Sequence, residues 1–159
     1  MSVDPLRQQL LNFLRGGHAH VPFEDAVHGF PVSKAGVRPA GLPHSAWELV
    51  EHIRISQNDI LRFCQSPDYV SPKWPEGYWP SRQAPPSAEH WERSIKSFYR
   101  DRAAFEELIV DPNRALHEPF PWGQGQTLLR EALLIVDHNS YHLGQLVSVR
   151  RALGAWNSH

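Results

Sequence analysis

No proline interrupts the sequence between Thr127 and Gly154, and this feature constrains the fold more than any other. Proline breaks helices because its ring removes a backbone hydrogen bond and clashes with the preceding turn. The uninterrupted stretch carries apolar residues at helical spacing, has Arg150 and Arg151 near its end, and closes on a glycine, a common helix terminator. The sequence therefore predicts a long helix here, at the centre of the fold.

Two other helices are predicted where the prolines are sparse and a cap is present. Asp4 and Pro5 suit the cap and first turn of a helix over residues 4–15, and a pair of glycines follows it. Ser87 suits the cap of a helix that continues with an apolar face to about Val110, where an Asp-Pro pair ends it. Both segments have the periodicity of amphipathic helices.

A further helix is predicted after Ser45, whose side chain can accept hydrogen bonds from the free amides of a first helical turn. Glu48 stands three residues later, in the position of a capping-box partner. Apolar residues then recur at helical spacing as far as Cys64, with Gln57 as the single polar break in the stripe. This segment precedes the other two long helices in the chain.

Two proline-rich connections separate these helices. Residues 18–43 contain four prolines and residues 66–86 contain six, so we expect long structured loops with no regular element beyond a turn or two. Four helices with no alternating strand pattern predict an all-α, four-helix bundle, and two long loops permit a topology other than up-down-up-down. The length predicts a single domain over residues 1–159.

Composition narrows the classes of protein to which the chain can belong. Sixteen Lys and Arg nearly balance seventeen Asp and Glu, so the chain lacks the basic excess typical of nucleic-acid or membrane-surface binding. No secretion or membrane-spanning segment is visible. Cys64 is the single cysteine, which excludes an internal disulfide and a thiolate-rich metal site. We expect a cytoplasmic protein without nucleic-acid or membrane partners.

Three histidines form the candidate metal site. His138 and His142 lie four residues apart, so on a helix their imidazoles share one face, and the surrounding apolar residues predict that this face points inward. Buried imidazoles need polar partners, which a shared metal or local hydrogen bonds could supply. His52 lies beside the apolar stripe of the preceding predicted helix and offers a third ligand.

Three neutral imidazoles suit a divalent ion, with Zn or Ni favoured and Fe, Co, Mn or Cu as alternatives. Three protein ligands leave a position for water or substrate, so the site is of the catalytic type. A water there would have its pKa lowered toward about 7, or a thiolate could be bound and activated. Glu48, Asp137 and Gln145 are candidates to hold the ligating rings by hydrogen bonds, although Glu48 also suits a cap and Asp137 a solvent-facing position.

Two segments resemble the DinB superfamily, whose members include YfiT-like proteins and the bacillithiol and mycothiol S-transferases. They are WELVEHIRISQNDIL at residues 47–61 and LLIVDHNSYHLGQLVSVRRALG at residues 133–154. The resemblance implies a four-helix bundle whose metal is bound by His52, His138 and His142. It extends over nearly the whole chain and slightly favours thiol transfer over hydrolysis.

Several other residues are candidates for a role at the site. His18 and His20 could close over the metal from a loop, but loop histidines are usually solvated. An aromatic group could line a substrate pocket or seal the ends of the bundle. Three arginines could bind a carboxylate of a small thiol or could simply face solvent. The aromatic group is Trp74, Tyr78, Trp79 and Trp122, and the arginines are Arg82, Arg93 and Arg100.

The sequence supports three hypotheses about function. The first is an enzyme that activates a low-molecular-weight thiol or a water for attack on a small-molecule substrate, with its catalytic groups beyond the metal unknown. The second is a non-enzymatic, stress-related or metal-binding module, favoured by the lack of a specific acid or base. The third is a bundle with structural core histidines. Cys64 is expected to be an inert core residue, and a homodimer is plausible for such a bundle.

Overall fold

The computed structural model describes residues 4–156, in which five α-helices form the architecture and no strand is present. Two single turns of 3₁₀-helix lie in the loops, at Val32–Lys34 and Glu76–Tyr78. The all-α prediction is therefore confirmed. The helices are α1 (Pro5–Arg15), α2 (Phe23–Val27), α3 (Ala46–Gln65), α4 (Ala88–Val110) and α5 (Leu128–Ala152).

Each of the four predicted helices begins at a side-chain cap. Asp4, Ser87 and Thr127 accept hydrogen bonds from backbone amides in the first turns of α1, α4 and α5. Ser45 and Glu48 form the reciprocal capping box predicted for α3. These bonds satisfy amides that have no partner within the helix, which is why the starts could be located from sequence.

The short α2 lies within the segment that the prolines predicted to be a loop. Five residues are little more than one turn, which is consistent with the expectation of no longer element there. Pro22 precedes this turn, where its missing N–H costs no helical hydrogen bond. The first loop also contributes to the core, because it buries Phe23, Val27 and Phe30.

The helices α3 and α4 run parallel. Glu51 pairs with Ser94 near the start of both helices, whereas Asn58 pairs with Asp101 one to two turns further along both. The loop of residues 66–87 must therefore return along the length of the bundle before α4 can begin. The helix α5 is antiparallel to both, so the topology differs from up-down-up-down, as the two long loops allowed.

Two separate apolar clusters form the interior. The apolar-end core lies where α1 packs against the second half of α4 and the start of α5, and the end of α3 belongs to the same cluster. It includes Leu11, Leu61, Phe105 and Leu128. The histidine-end core lies where α2 and the first loop cover the start of α3 and the end of α5. Because α1 is only 11 residues long, the first loop covers the part of the bundle that α1 does not reach.

Within residues 4–156, none of the helices is both long enough and apolar enough to cross a membrane.

Candidate metal centre

Three histidine side chains converge where α3 and α5 pack together. The Nε2 atom of His52 lies 3.0 Å from Nε2 of His138 and 3.1 Å from Nε2 of His142. One ring nitrogen from each histidine falls within 4.8 Å of the other two. The pair on α5 is one helical turn apart, so both rings face the same side of α3. The structure thus brings together the three histidines singled out from the sequence.

The second ring nitrogen of two of these histidines is fixed by an oxygen acceptor. His52 Nδ1 donates to the backbone carbonyl of Tyr78 at 2.7 Å, and His142 Nδ1 donates to Oε1 of Gln145 at 2.7 Å. Because both acceptors lack a hydrogen, each Nδ1 must carry the ring proton. In the neutral rings, Nε2 of both His52 and His142 therefore presents a lone pair toward the centre of the group.

The third histidine is held differently. His138 Nδ1 is buried and has no hydrogen-bond partner in the part of the chain that the structure describes, and the same holds for Oδ1 of the adjacent Asn139. Asn139 Nδ2 donates to Gln57 Oε1 at 3.1 Å, and Gln57 Nε2 donates to the Phe98 carbonyl at 2.9 Å. These two bonds orient the Asn139 amide through its nitrogen, and its oxygen stays without a hydrogen-bond partner among the described residues.

The loop after α3 completes the site, and three contacts position it. The Tyr78 hydroxyl donates to Asp59 on α3 at 2.7 Å. Gly77 allows the turn to close, since a Cβ atom there would lie 2.6 Å from the Cβ of Pro72. Trp79 then stacks on His52 with ring centroids 3.9 Å apart and planes 1° apart. The His52 ring is thus held by the Tyr78 carbonyl at its edge and by the Trp79 ring on its face.

Burial keeps these imidazoles uncharged. Desolvation is the main cause that lowers the pKa of His52 to about 4, although the hydrogen bond to Tyr78 opposes it. Burial likewise lowers the pKa of His138 and of His142, with Asn139 and Gln145 opposing the shifts. Neutral imidazole is the form that binds metals.

The separations of the His52 ring nitrogen from those of His138 and His142 fit a single metal ion. Two ligands at about 2.0–2.1 Å from one ion and about 3 Å from each other subtend roughly 95° at it, an angle common in metal coordination. His52 has only 3% of its surface exposed, and the other two ligand candidates are half-buried. The group could therefore bind a metal ion.

The three proposed supporting residues of the site have different outcomes. Gln145 holds His142 as expected. Glu48 instead accepts from the Ser45 amide and pairs with Arg38, so it serves its cap and not His52. Asp137 is exposed on α5 and forms none of the hydrogen bonds found among residues 4–156. Proximity along the helices suggested all three as supports of the histidines, but Ser45 and Arg38 bind the Glu48 carboxylate.

The two loop histidines do not reach the centre. His18 contacts the Asn12 carbonyl and packs against the Phe13 ring. His20 contacts the Ser140 hydroxyl on α5 at 3.1 Å. Both lie near the end of α1, so closure of this loop over the metal is not supported by the structure.

The aromatic and arginine candidates are also distributed. Trp79 lies at the centre, whereas Trp122 donates to the Phe63 carbonyl at the apolar end of the bundle and Trp74 is 71% exposed. Arg82 and Arg93 are exposed, and Arg100 pairs with its neighbour Asp101. None of these arginines contacts the three histidines. Cys64 is fully buried, and burial raises the pKa of its thiol, as expected for an inert core residue.

Several groups at the site were missed by the sequence analysis. The Tyr78 carbonyl is a backbone atom in a proline-rich loop, and no side-chain pattern reports it. His44 stacks on Trp79 at 4.3 Å and so extends the ring stack beyond His52. The polar break at Gln57 in an apolar stripe was the one available signal for the Asn139 support, because a buried amide needs partners.

Comparison with known proteins gives one match. The family model of the DinB superfamily matches residues 18–146, which is most of the chain. The match contains all three histidines and Gln145. No curated protein and no solved structure matches the chain.

Proposed function

The chain belongs to the DinB superfamily, and from this premise we propose a metal-dependent enzyme with His52, His138 and His142 as metal ligands. An ion held there would supply the positive charge that activates a low-molecular-weight thiol, or alternatively a water, for attack on a small electrophile. Thiol transfer is preferred because the resemblance includes thiol S-transferases. The ligands are three neutral imidazoles, which favour Zn or Ni, with Fe, Co, Mn or Cu as alternatives.

One observation carries the metal assignment. Nε2 of His52 and Nε2 of His142 are 3.1 Å apart, and both rings have their proton on Nδ1 because Tyr78 and Gln145 accept there. Two lone pairs facing each other at this distance repel unless a cation lies between them. A proton on Nε2 of His138 could donate to only one of the two, so a shared metal ion accounts for all three rings.

The residues of this chain prepare the site for nucleophile activation. When bound, the metal supplies a positive charge that lowers the pKa of a thiol or water at an open coordination position. Tyr78 and Gln145 fix the tautomers of two ligands, and Trp79 covers one face of His52. These contacts hold the rings in place before any metal binds, which reduces the entropic cost of forming the site.

The experiment is a screen of the zinc- and nickel-loaded protein with glutathione, cysteine, coenzyme A, bacillithiol and mycothiol against 1-chloro-2,4-dinitrobenzene, and with p-nitrophenyl acetate for hydrolysis. We expect turnover that requires the metal and is lost in His52→Ala. Cys64→Ala serves as the matched control and should retain turnover, because the buried Cys64 thiol does not take part. Rates equal to those of free metal with every thiol and with the ester would contradict the enzyme proposal.

A non-enzymatic metal-binding module remains the second candidate. Its supporting observation is that no carboxylate hydrogen-bonds to any of the three rings within the described part of the chain. The neighbouring groups are a carbonyl, an amide and an aromatic ring, and none of these is an obvious acid or base. Chelation that unfolds the protein, together with a bound metal that exchanges no water, would favour this function.

The cellular setting is part of the same proposal. A small-molecule thiol as co-substrate and an unpaired cysteine suit the reducing cytoplasm. All three metal ligands come from one chain, so the proposed site does not depend on a second copy. A homodimer stays a prediction, which light scattering of the purified protein would test.

A further inference from the structure

A cavity of about 250 Å³ lies between the loop before α3 and the last turns of α5. Its apolar lining includes Leu42, Leu49 and Val149, and its polar lining includes His44 and Gln145. At about 30 Å³ per water, this volume corresponds to roughly eight waters, which is enough for a small organic group. The cavity is therefore a candidate binding site.

The cavity adjoins the three histidines. Gln145 lines it and also holds His142. Tyr141 lines it too, and its ring centroid is 4.9 Å from that of His142. His44 stacks on Trp79, which in turn stacks on His52. Gln145 and Tyr141 each contact His142 directly, and His44 is linked to His52 through Trp79. The cavity is therefore separated from the proposed metal ligands by one or two side chains.

Gly144 gives an independent indication that this space is kept open. Glycine in the interior of a helix is unfavourable relative to alanine, so it usually has a packing reason. Here a Cβ atom would meet no heavy atom within 4 Å, and the backbone has no left-handed conformation that needs glycine. Gly144 lines the cavity. Close packing therefore does not require glycine at this position. A larger side chain there would occupy space beside the cavity.

The polar groups of the cavity indicate what kind of molecule it accepts. Among the described residues that line it, none is Lys, Arg, Asp or Glu. The oxygen of the Gln145 amide is taken by His142, and none of the hydrogen bonds within residues 4–156 uses the two N–H groups of that amide. The Ser148 hydroxyl donates to the Gly144 carbonyl. An uncharged ligand with a hydrogen-bond acceptor for Gln145 fits this lining.

We propose that the cavity binds the uncharged, largely apolar part of the electrophilic substrate, with a carbonyl-type oxygen accepting from the Gln145 amide. This inference rests on the proposed enzymatic function and names its substrate class. The exposed arginines that could have bound a carboxylate lie elsewhere, on the surface of α4 and in the preceding loop. Substrate recognition at this face therefore depends on apolar contact and one hydrogen bond.

The test is calorimetric titration of the zinc-loaded protein with neutral primary amides, from propanamide to hexanamide. We expect affinity to rise about four-fold with each added methylene until the cavity is full. Hexylammonium, which is charged and has no acceptor, should bind at least ten-fold more weakly than hexanamide. Affinity that does not change along the series would overturn the inference.

Two variants locate the binding. Gly144→Leu fills the space from α5 and should weaken hexanamide binding more than ten-fold, while zinc content is unchanged. Ala103→Leu adds the same side chain at an exposed position on α4 and should leave both unchanged. Leu42→Trp blocks the cavity from the loop side and replaces Gly144→Leu if circular dichroism shows that variant to be misfolded. Equal hexanamide binding by the wild type and the folded blocking variant would overturn the inference.

The same titration on chelated protein separates this inference from the proposed function. Amides that bind with the expected length dependence in a protein that takes up no metal would support the cavity and contradict the enzyme. Zinc binding without amide binding would contradict the cavity alone.

Discussion

The two ends of the bundle are built from the same three long helices, but one end buries apolar side chains and the other also buries polar ones. At the apolar end, α3, α4 and α5 bury a continuous apolar cluster in which Phe105 is fully buried. At the histidine end, the same helices bury His52 and Gln57, both with less than 4% of their surface exposed. The apolar end is stabilised by close packing of its side chains. At the histidine end, stability also requires a hydrogen-bond or metal partner for each buried polar atom.

This difference predicts how each end responds to change. A cavity at the apolar end removes packing and transfer free energy, so it lowers the stability of the whole domain. At the histidine end, loss of one polar contact misplaces a ligand ring and should change metal affinity more than stability.

Phe105→Ala should destabilise the metal-free protein by about 3–5 kcal/mol, the usual cost of removing a buried phenylalanine side chain. Urea denaturation followed by circular dichroism measures this change. The folded variant should still bind one equivalent of zinc, because Phe105 belongs to the apolar-end core. Loss of zinc binding by the folded variant would show that the two ends are coupled.

Metal binding should stabilise the protein through the histidine end alone. With free zinc at 100 times its dissociation constant, the free energy of unfolding should rise by about 2.7 kcal/mol. Urea titrations with and without zinc give this increment. Phe105→Ala should show the same increment, whereas His142→Ala should show none. An equal increment in His142→Ala would place the metal elsewhere.

Asn139→Ala should weaken zinc affinity about ten-fold, the lower range seen when a group that supports a ligand is removed. The physical reason is that the Asn139 side chain, oriented by Gln57, interacts with His138 and opposes the lowering of the His138 pKa by burial. Competition with a chromophoric chelator measures the affinity. Asn58→Ala is the matched control, since it removes a similar amide that pairs with Asp101. Equal losses in the two variants would remove the special role of Asn139.

Arg82→Ala should have the smallest effect, with stability unchanged within about 0.5 kcal/mol, as is usual for exposed positions. Arg82 is exposed and forms none of the hydrogen bonds or ion pairs found between residues 4 and 156. Zinc affinity and any thiol turnover should equal those of the wild type. A large loss of turnover would restore the hypothesis that this arginine binds a substrate carboxylate.

The features that depend on local periodicity could be predicted from the sequence. The helix caps, the long α5 and the shared face of His138 and His142 follow from spacing along helices. Gln145 could be found for the same reason, because it lies three residues after His142 on one face. The convergence of His52 with that pair was expected from the resemblance to the DinB superfamily.

The rest of the site depends on tertiary contacts that spacing does not encode. The Tyr78 carbonyl and Trp79 reach His52 only because a loop with six prolines folds back onto α3. Spacing also left two roles open for Glu48, the helix cap and the support of His52, and the helix N-terminus together with Arg38 binds its carboxylate. The spacing of residues within one helix does not determine which of these groups binds the carboxylate.

The most direct test of the metal centre is elemental analysis of the chelated and zinc-reloaded protein, combined with X-ray absorption at the zinc edge. We expect one equivalent of zinc with three imidazole nitrogens at about 2.0–2.1 Å, and loss of that equivalent in His138→Ala. No uptake of zinc, or of any other divalent metal, by the reloaded wild type would contradict a three-histidine metal centre.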